Sequence, residues 1–125
     1  MDKITAVFKH SLLVLTWLVL WRLSVFTEYA PYASIWFPPA GLTFTCFLLL
    51  RWQALPAMFI ACVLSTGWES LVFNDQRSLE QLLIAGSHFA VLHCLVYGVS
   101  ANLLRGSIDR ISHHNLYAPV MRFLL

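Results

Sequence analysis

Charged side chains are scarce in this sequence. Only 11% of the 125 residues are Asp, Glu, Lys or Arg, whereas 59% are hydrophobic. Soluble domains carry about 25% charged residues and about 45–50% apolar ones. A soluble chain of this length could not cover so much apolar surface with so few polar groups. The scarcity of charge therefore excludes an ordinary soluble domain and indicates that lipid is the solvent.

Signatures of several other protein classes are absent as well. The three cysteines, Cys46, Cys62 and Cys94, lie in apolar stretches without a Cys-x-x-Cys pair, so neither a disulfide framework nor a zinc site is predicted. The sequence has no run of basic residues that could hold nucleic acid. It also has no His-Glu-x-x-His motif, P-loop or nucleophile–base pattern. We therefore predict no catalytic residue, no metal, no cofactor and no nucleic-acid partner, and the chain is interpreted as not being an enzyme.

Four long apolar segments are present instead. A membrane-spanning helix needs about 20 mostly apolar residues, within a range of about 17–25. The four segments are apolar on all sides, which surface helices of soluble proteins are not. We predict an all-α integral membrane protein, an antiparallel bundle of about four transmembrane helices in a single region over residues 1–125. The predicted spans are residues 10–26, 33–50, 54–73 and 82–104.

The distribution of Lys and Arg predicts the orientation of these spans, because basic residues favour the cytoplasmic side. With the N-terminus inside, five basic residues are cytoplasmic and one is outside: Lys3, Lys9, Arg51, Arg105 and Arg110 against Arg77. The predicted membrane is the bacterial inner membrane, with both termini of the chain in the cytoplasm. The cytoplasmic segments are then residues 1–9, 51–53 and 105–117, and the periplasmic segments are 27–32 and 74–81.

The last residues return to an apolar sequence. Residues 118–125 contain Val-Met-Arg-Phe-Leu-Leu after a polar stretch. We interpret them as the start of a fifth span, with a short helix lying on the membrane surface as the alternative. The first interpretation predicts that the chain is the front part of a longer protein.

Small residues recur at every fourth position in two of the predicted spans. Helices in lipid associate through close packing of small side chains, so such stripes predict a tight interface. The residues are Ala57, Ala61 and Ser65 in the third span, and Gly86, Ala90, Cys94 and Gly98 in the fourth. We expect the two stripes to pack against each other within the chain; a homodimer seam on one stripe is the alternative.

Tryptophan is common, with five residues in the chain. Tryptophan side chains favour the membrane–water interface, where the apolar part of the ring contacts lipid and its N–H group contacts water or headgroups. The pattern therefore predicts that the tryptophans are membrane anchors: Trp17, Trp21, Trp36, Trp52 and Trp68.

Three ionisable residues within the spans are the candidate ligand-binding residues. Arg22, Glu69 and His88 all lie toward the predicted outer ends of their spans. A charge buried in lipid is costly and is expected to pair or to face a watery cavity. We predict an Arg22–Glu69 pair with His88 nearby, lining a polar pocket open to the periplasm. The alternative is that Arg22 and Glu69 extend to the headgroups. His93, near the bilayer midplane, is interpreted as making an interhelical hydrogen bond.

Residues 34–65 resemble a known family. The motif residues are Trp36, Pro38, Pro39 and Gly41 at the start of the second span, and Arg51, Trp52 and Pro56 at the inner turn. In these residues the chain resembles the membrane-associated sensor domain of the first type, found at the N-terminus of bacterial histidine kinases, diguanylate cyclases and phosphodiesterases. The family usually has an aromatic–proline–glycine sequence where this chain has Leu55-Pro56-Ala57.

The resemblance implies a sensory input module, the N-terminal half of such a domain. A periplasmic or membrane cue would be passed to a cytoplasmic output domain, in two-component or cyclic di-GMP signalling. The implied partners are the lipid bilayer and the remaining spans and output domain of a parent protein. Two other classes stay open: a small multi-span transporter and a membrane assembly subunit. Small transporters rely on a carboxylate in the first span, where this chain has Arg22.

Overall fold

The computed structural model of the protein describes residues 3–30, 33–34, 37–72 and 76–112. Within these ranges the helices are α1 (Lys3–Val25), α2 (Pro38–Leu50), α3 (Leu55–Val72) and α4 (Leu79–Ser112). A 3-10 turn, Arg51–Ala54, joins α2 to α3. Two short strands, β1 (Glu28–Ala30) and β2 (Ala33–Ser34), pair antiparallel between α1 and α2. The predicted fifth segment, residues 118–125, lies outside the described residues.

Three segments of the described chain are long and apolar enough to cross a membrane: Ile4–Val25, Pro38–Trp68 and Leu79–Ser107. The expected helical membrane architecture is therefore confirmed, but the expected count of about four spans is not. The reason is the length of α2. Its 13 residues extend only about 20 Å, less than the hydrocarbon core of about 30 Å. By itself, α2 is therefore too short to count as a span. Together with the 3-10 turn and most of α3 it makes up the single apolar segment Pro38–Trp68.

Prolines set the start of α2. The second predicted span begins at residue 33, whereas the helix begins at Pro38 and Ala33 belongs to β2. Pro38 and Pro39 occupy the first helical positions, where a missing N–H needs no partner. A residue before proline avoids the α conformation, and Phe37 is accordingly non-helical, with φ −123° and ψ 77°. The helix therefore starts well inside the apolar run.

Arg51 ends α2 with a left-handed backbone. Its φ of 57° is a conformation that costs a non-glycine residue about 1–3 kcal/mol and persists only where the surroundings hold it. The N–H of Arg51 donates to the carbonyl oxygen of Phe47. The chain thus leaves the helix axis at Arg51 and passes through the 3-10 turn into α3.

Contacts along α4 give the direction of α2. Thr43 lies within hydrogen-bond distance of His93, and Phe47, one turn further along α2, lies against Gly98. The contacts advance toward the C-terminus on both helices, so α2 runs parallel to α4.

The order of contacts is reversed on α3. Trp52, just before α3, lies against Gly98, whereas Thr66, near the far end of α3, lies against Gly86, which is earlier in α4. Hence α3 runs antiparallel to α4, and α2 and α3 point in opposite directions.

The first helix completes the bundle, since α1 and α4 each contact both α2 and α3. His10 of α1 donates from Nε2 to the carbonyl oxygen of Gln53, 3.0 Å away in the 3-10 turn. At the other end of α1, Trp21 packs on Trp68 of α3, with ring centroids 6.2 Å apart. These two contacts show that α1 runs parallel to α3.

Small side chains and a few large rings fill the core. Its buried hydrophobic residues are Trp17, Trp21, Cys46, Phe47, Ala54, Ala57, Met58, Ala61, Cys62, Ala90, Cys94 and Ala101. Trp17 and Trp21 are 0% and 4% exposed, so the prediction that the tryptophans are interface anchors is wrong for these two. Large apolar side chains such as Leu12 and Leu92 cover the outer surface of the bundle, as contact with lipid requires.

Candidate functional site

Three polar side chains from three helices meet in the core. Trp17 of α1 donates from Nε1 to Thr43 Oγ1 of α2 at 2.9 Å, and His93 Nε2 of α4 lies 3.0 Å from the same oxygen. Trp17 and Thr43 are fully buried, and His93 is 7% exposed. Trp17, Thr43 and His93 together are termed the Thr43 node. The node joins α1, α2 and α4 through one atom.

The hydroxyl of Thr43 determines which of its neighbours act as hydrogen-bond donors. A hydroxyl has one hydrogen to give and two lone pairs to accept with. Its hydrogen goes to the carbonyl oxygen of Pro39, 2.8 Å away. Trp17 Nε1 and His93 Nε2 must then both be donors, which places a hydrogen on Nε2 of His93. The hydrogen-bonding capacity of the Thr43 oxygen is thereby used in full.

Aromatic rings enclose His93. The rings of Trp17 and Phe37 lie edge-on to the imidazole, with centroids 6.0 and 6.3 Å away. The rings of Phe89 and Tyr97 lie closer, at 5.2 and 4.6 Å. This enclosure keeps water from the node, so that solvent cannot replace a hydrogen bond broken there. A shift of α1, α2 or α4 relative to the others therefore has a direct energetic cost, and the node couples the positions of the three helices.

Replacing Thr43 by valine is expected to weaken this coupling. Valine keeps the shape of threonine but removes the oxygen that accepts from Trp17 and His93. Interhelical hydrogen bonds in membranes average about 0.6 kcal/mol, so the free energy of unfolding should fall by about 1 kcal/mol. SDS-induced unfolding in mixed micelles, followed by circular dichroism, measures the change. Thr45→Val, at an exposed position of the same helix, should leave stability unchanged. Equal losses for both variants would contradict the role given to Thr43.

The predicted cluster of Arg22, Glu69 and His88 is described only in part. The Arg22 guanidinium lies over the ring of Phe26, 5.2 Å from its centroid. His88 is exposed, and its Nδ1 donates to the carbonyl oxygen of Ile84 at 2.8 Å, within α4. Among the described side chains, no hydrogen bond joins Arg22 to His88, and the side chain of Glu69 lies outside them. The Arg22–Glu69 pair stays a prediction.

The two stripes of small residues are buried. They comprise Ala57, Ala61, Ser65, Gly86, Ala90, Cys94 and Gly98. At Gly86 the two helices lie close together, since an added Cβ would lie 3.3 Å from Val63 Cα and from Thr66 Cβ. Gly98 faces a different element, since a Cβ there would lie 2.9 Å from Cζ3 of Trp52. The α4 stripe therefore passes from α3 at one end to the 3-10 turn at the other.

The residues that carry the family resemblance lie at both ends of α2. Pro39 supplies the carbonyl oxygen that orients the Thr43 hydroxyl. Arg51 reverses the chain, and Trp52 packs on Phe47, with ring centroids 5.7 Å apart. The other motif residues are Pro38 at the helix start, the exposed Gly41 and Pro56, and Trp36, which lies outside the described residues.

The interhelical hydrogen bond predicted for His93 is confirmed, but its acceptor Thr43 and the second donor to that oxygen, Trp17, were not predicted. A usable signal was present, because all three residues lie near the middle of the predicted spans 10–26, 33–50 and 82–104. Polar groups at that depth have neither water nor headgroups to bond, and they are therefore expected to find one another.

The described residues contain no group of three or more His, Cys, Asp or Glu side chains that could hold a metal ion. Cys46, Cys62 and Cys94 are free and buried, and His93 is engaged with Thr43. The chemistry that the node itself offers is hydrogen bonding between helices.

Comparison with known proteins places these features in a family. The family model MASE1, the membrane-associated sensor 1 domain, matches residues 5–120. The resemblance carried by residues 34–65 is thereby confirmed and extends over nearly the whole chain. No curated protein and no solved structure matches the chain significantly.

Proposed function

Because this chain belongs to MASE1, a family of membrane sensor domains of signalling proteins, we propose that it is the membrane-embedded input module of a bacterial signal-transduction protein. The match over residues 5–120 is the observation that carries the proposal. The module passes a periplasmic or membrane cue to a cytoplasmic output domain, in two-component or cyclic di-GMP signalling. The chain contributes no catalytic group of its own.

The Thr43 node is the element through which we propose the cue acts. A cue can shift a conformational equilibrium only if it favours one of two states. Three helices share the Thr43 oxygen, and the two states in this proposal are the node with its hydrogen bonds made and the node with them broken. A cue that moves one helix changes the packing of the other two, and α4 carries that change toward the end of the described chain at Ser112.

The cue enters, in this proposal, at the end of the bundle where α1 leads into β1 and packs on the C-terminal part of α3. Trp21 and Trp68 pack together there, and Arg22 lies over Phe26. Arg22, Glu69 and His88 remain the candidate binding residues. This end lies one to two turns of α1 from the Thr43 node, close enough for a shift to reach Trp17.

We further propose that α2 and α3 are separate crossings, which gives four passes with both ends in the cytoplasm. The support is the reversal at Arg51 and the opposite directions of α2 and α3 against α4. The short α2 reaches across most of the hydrocarbon core. The excess of basic residues at one end supports a cytoplasmic position for that end, and the membrane we propose is the bacterial inner membrane.

Reporter fusions distinguish four crossings from three. Alkaline phosphatase, active outside, and green fluorescent protein, fluorescent inside, are fused after Ala30, Gln53, Gln76 and Ser112. Four crossings predict phosphatase activity at Ala30 and Gln76 and fluorescence at Gln53 and Ser112. Fluorescence at Gln76 together with phosphatase activity at Ser112 would instead show that Pro38–Trp68 crosses once.

The gene sequence beyond the codon for Leu125 tests the sensory role. We expect further apolar segments, followed by a histidine kinase, diguanylate cyclase or phosphodiesterase. A stop codon directly after Leu125 would contradict the proposal, because no output domain would be joined to the module. In the intact parent protein, Thr43→Val should change the basal output activity, and Thr45→Val should leave it unchanged.

A further inference from the structure

The imidazole ring of His10 lies between two carbonyl oxygens. Its Nδ1 is 2.8 Å from the oxygen of Ala6, one turn earlier in α1, and its Nε2 is 3.0 Å from the oxygen of Gln53 in the 3-10 turn. Both are ordinary hydrogen-bond distances. Carbonyl oxygens only accept, so both ring nitrogens must donate, whereas a neutral imidazole has a single N–H. The two contacts together therefore fit the doubly protonated, positively charged ring.

We propose that His10 joins α1 to the 3-10 turn in a proton-dependent way, with both hydrogen bonds made by the charged ring and only one by the neutral ring. The two bonds are termed the His10 contact. When the ring loses a proton, the bare nitrogen faces the lone pairs of a carbonyl oxygen, which repels it. Histidine changes charge between about pH 5 and pH 8. The His10 contact is thus complete at the acidic end of this range and is weakened as the pH rises through it.

Protons have access to His10, because the ring is only partly buried and the neighbouring Lys9 and Gln53 are exposed. The charged residues of the surrounding elements are all basic: Lys9 in α1, Arg51 in the turn, and Arg105, about two turns beyond the point where α4 meets the turn. No Asp or Glu occurs in residues 3–27, 37–68 or 81–108. The basic charges oppose addition of a proton to His10, and the two carbonyl oxygens favour it. In the orientation proposed above, the protons come from the cytoplasm.

The 3-10 turn connects the His10 contact to α4. Trp52 precedes Gln53 in the turn and lies against Gly98, where an added Cβ would be 2.9 Å from Cζ3 of the indole. A displacement of the turn relative to α1 therefore reaches α4 through Trp52. The proton concentration would then act on the bundle at the end opposite Arg22, as an input separate from the cue proposed above.

Solid-state nuclear magnetic resonance of the full chain in lipid vesicles measures the contact directly. Histidine rings are labelled with nitrogen-15 and glutamine carbonyls with carbon-13, so that the dipolar coupling between the labels reports the approach of His10 to Gln53. We expect this coupling at about pH 5.5 and its loss or marked reduction at about pH 8, on either side of the histidine range. The His10→Phe variant should lack it at both pH values, which assigns the signal. Equal coupling at both pH values, or none at about pH 5.5, would overturn the proposal.

Unfolding in mixed micelles gives a second test, for which His88 supplies a matched control. Nδ1 of His88 also donates to the carbonyl oxygen four residues earlier, but among the described residues its ring makes no second hydrogen bond. The difference in SDS unfolding midpoint between wild type and His10→Gln should be larger at about pH 5.5 than at about pH 8, and the difference for His88→Gln should stay constant. A His10→Gln difference that changes with pH no more than the His88→Gln difference would contradict the His10 contact. Neither measurement involves an output domain, so both are independent of the proposed signalling role.

Discussion

Leucine in place of Gly86 is expected to force α3 and α4 apart and to lower the free energy of unfolding by about 3 kcal/mol, near the upper end of the cost of overpacking. An added Cβ would already lie 3.3 Å from Val63 Cα and from Thr66 Cβ. Val63 Cα belongs to the backbone and cannot give way unless α3 moves. Helices in lipid are held together by such close packing. SDS-induced unfolding in mixed micelles measures the loss.

The control for this substitution is Gly67→Leu. Gly67 follows Thr66 in α3, and nothing lies within 4 Å of a Cβ built there. Leucine at this position should leave the unfolding midpoint unchanged or raise it, because leucine favours helix more than glycine does. Gly86→Ala should fall between the wild type and Gly86→Leu. A similar loss for Gly67→Leu and Gly86→Leu would show that the α3–α4 contact is not the cause.

Trp17→Ala is the second substitution with a large expected effect. It removes a fully buried indole together with the donor to Thr43 and the ring that faces His93. Such truncations cost about 3–5 kcal/mol in soluble cores. Part of that cost is transfer from water, which does not apply to a chain that stays in lipid when unfolded. We therefore expect a loss of about 2 kcal/mol, from the cavity and the broken hydrogen bond.

Two variants separate the causes of this loss. Trp17→Phe keeps an aromatic ring at this position and removes the donor to Thr43, while the bond from His93 stays, so the loss should be well below that of Trp17→Ala. Leu15→Ala truncates a side chain that is 60% exposed to the surroundings of the bundle, and it should change the midpoint little. An unfolding midpoint for Trp17→Ala equal to that of Leu15→Ala would contradict the position of Trp17 in the core.

Hydropathy predicts the helical membrane architecture because lipid leaves the backbone few alternatives to helix. The start of α2 shows what hydropathy misses. Residues 33–37 are as apolar as those that follow, yet the helix begins only at Pro38. The cause is the backbone restriction that proline places on itself and on Phe37, which is invisible to a scale of side-chain polarity. The reversal at Arg51 is likewise a property of the backbone.

The Thr43 node could be predicted only in part, for a different reason. A hydrogen bond between helices depends on how each helix is rotated about its axis. Soluble helices reveal that rotation by a polar and an apolar face, but helices that are apolar all round do not. The small-residue stripes give the rotation of α3 and α4. Neither α1 nor α2 has such a stripe, and the partners of His93 therefore became visible only in the structure.

The length of α4 has a mechanical consequence. Its 34 residues extend about 51 Å, well beyond a hydrocarbon core of about 30 Å. From His93 to Ser112 the helix forms a stiff arm of about 28 Å. A tilt of about 4° at His93 would displace the far end of this arm sideways by about 2 Å, given its length of about 28 Å. A tilt too small to open the bundle at His93 thereby becomes a larger sideways displacement at Ser112, beyond the apolar segment.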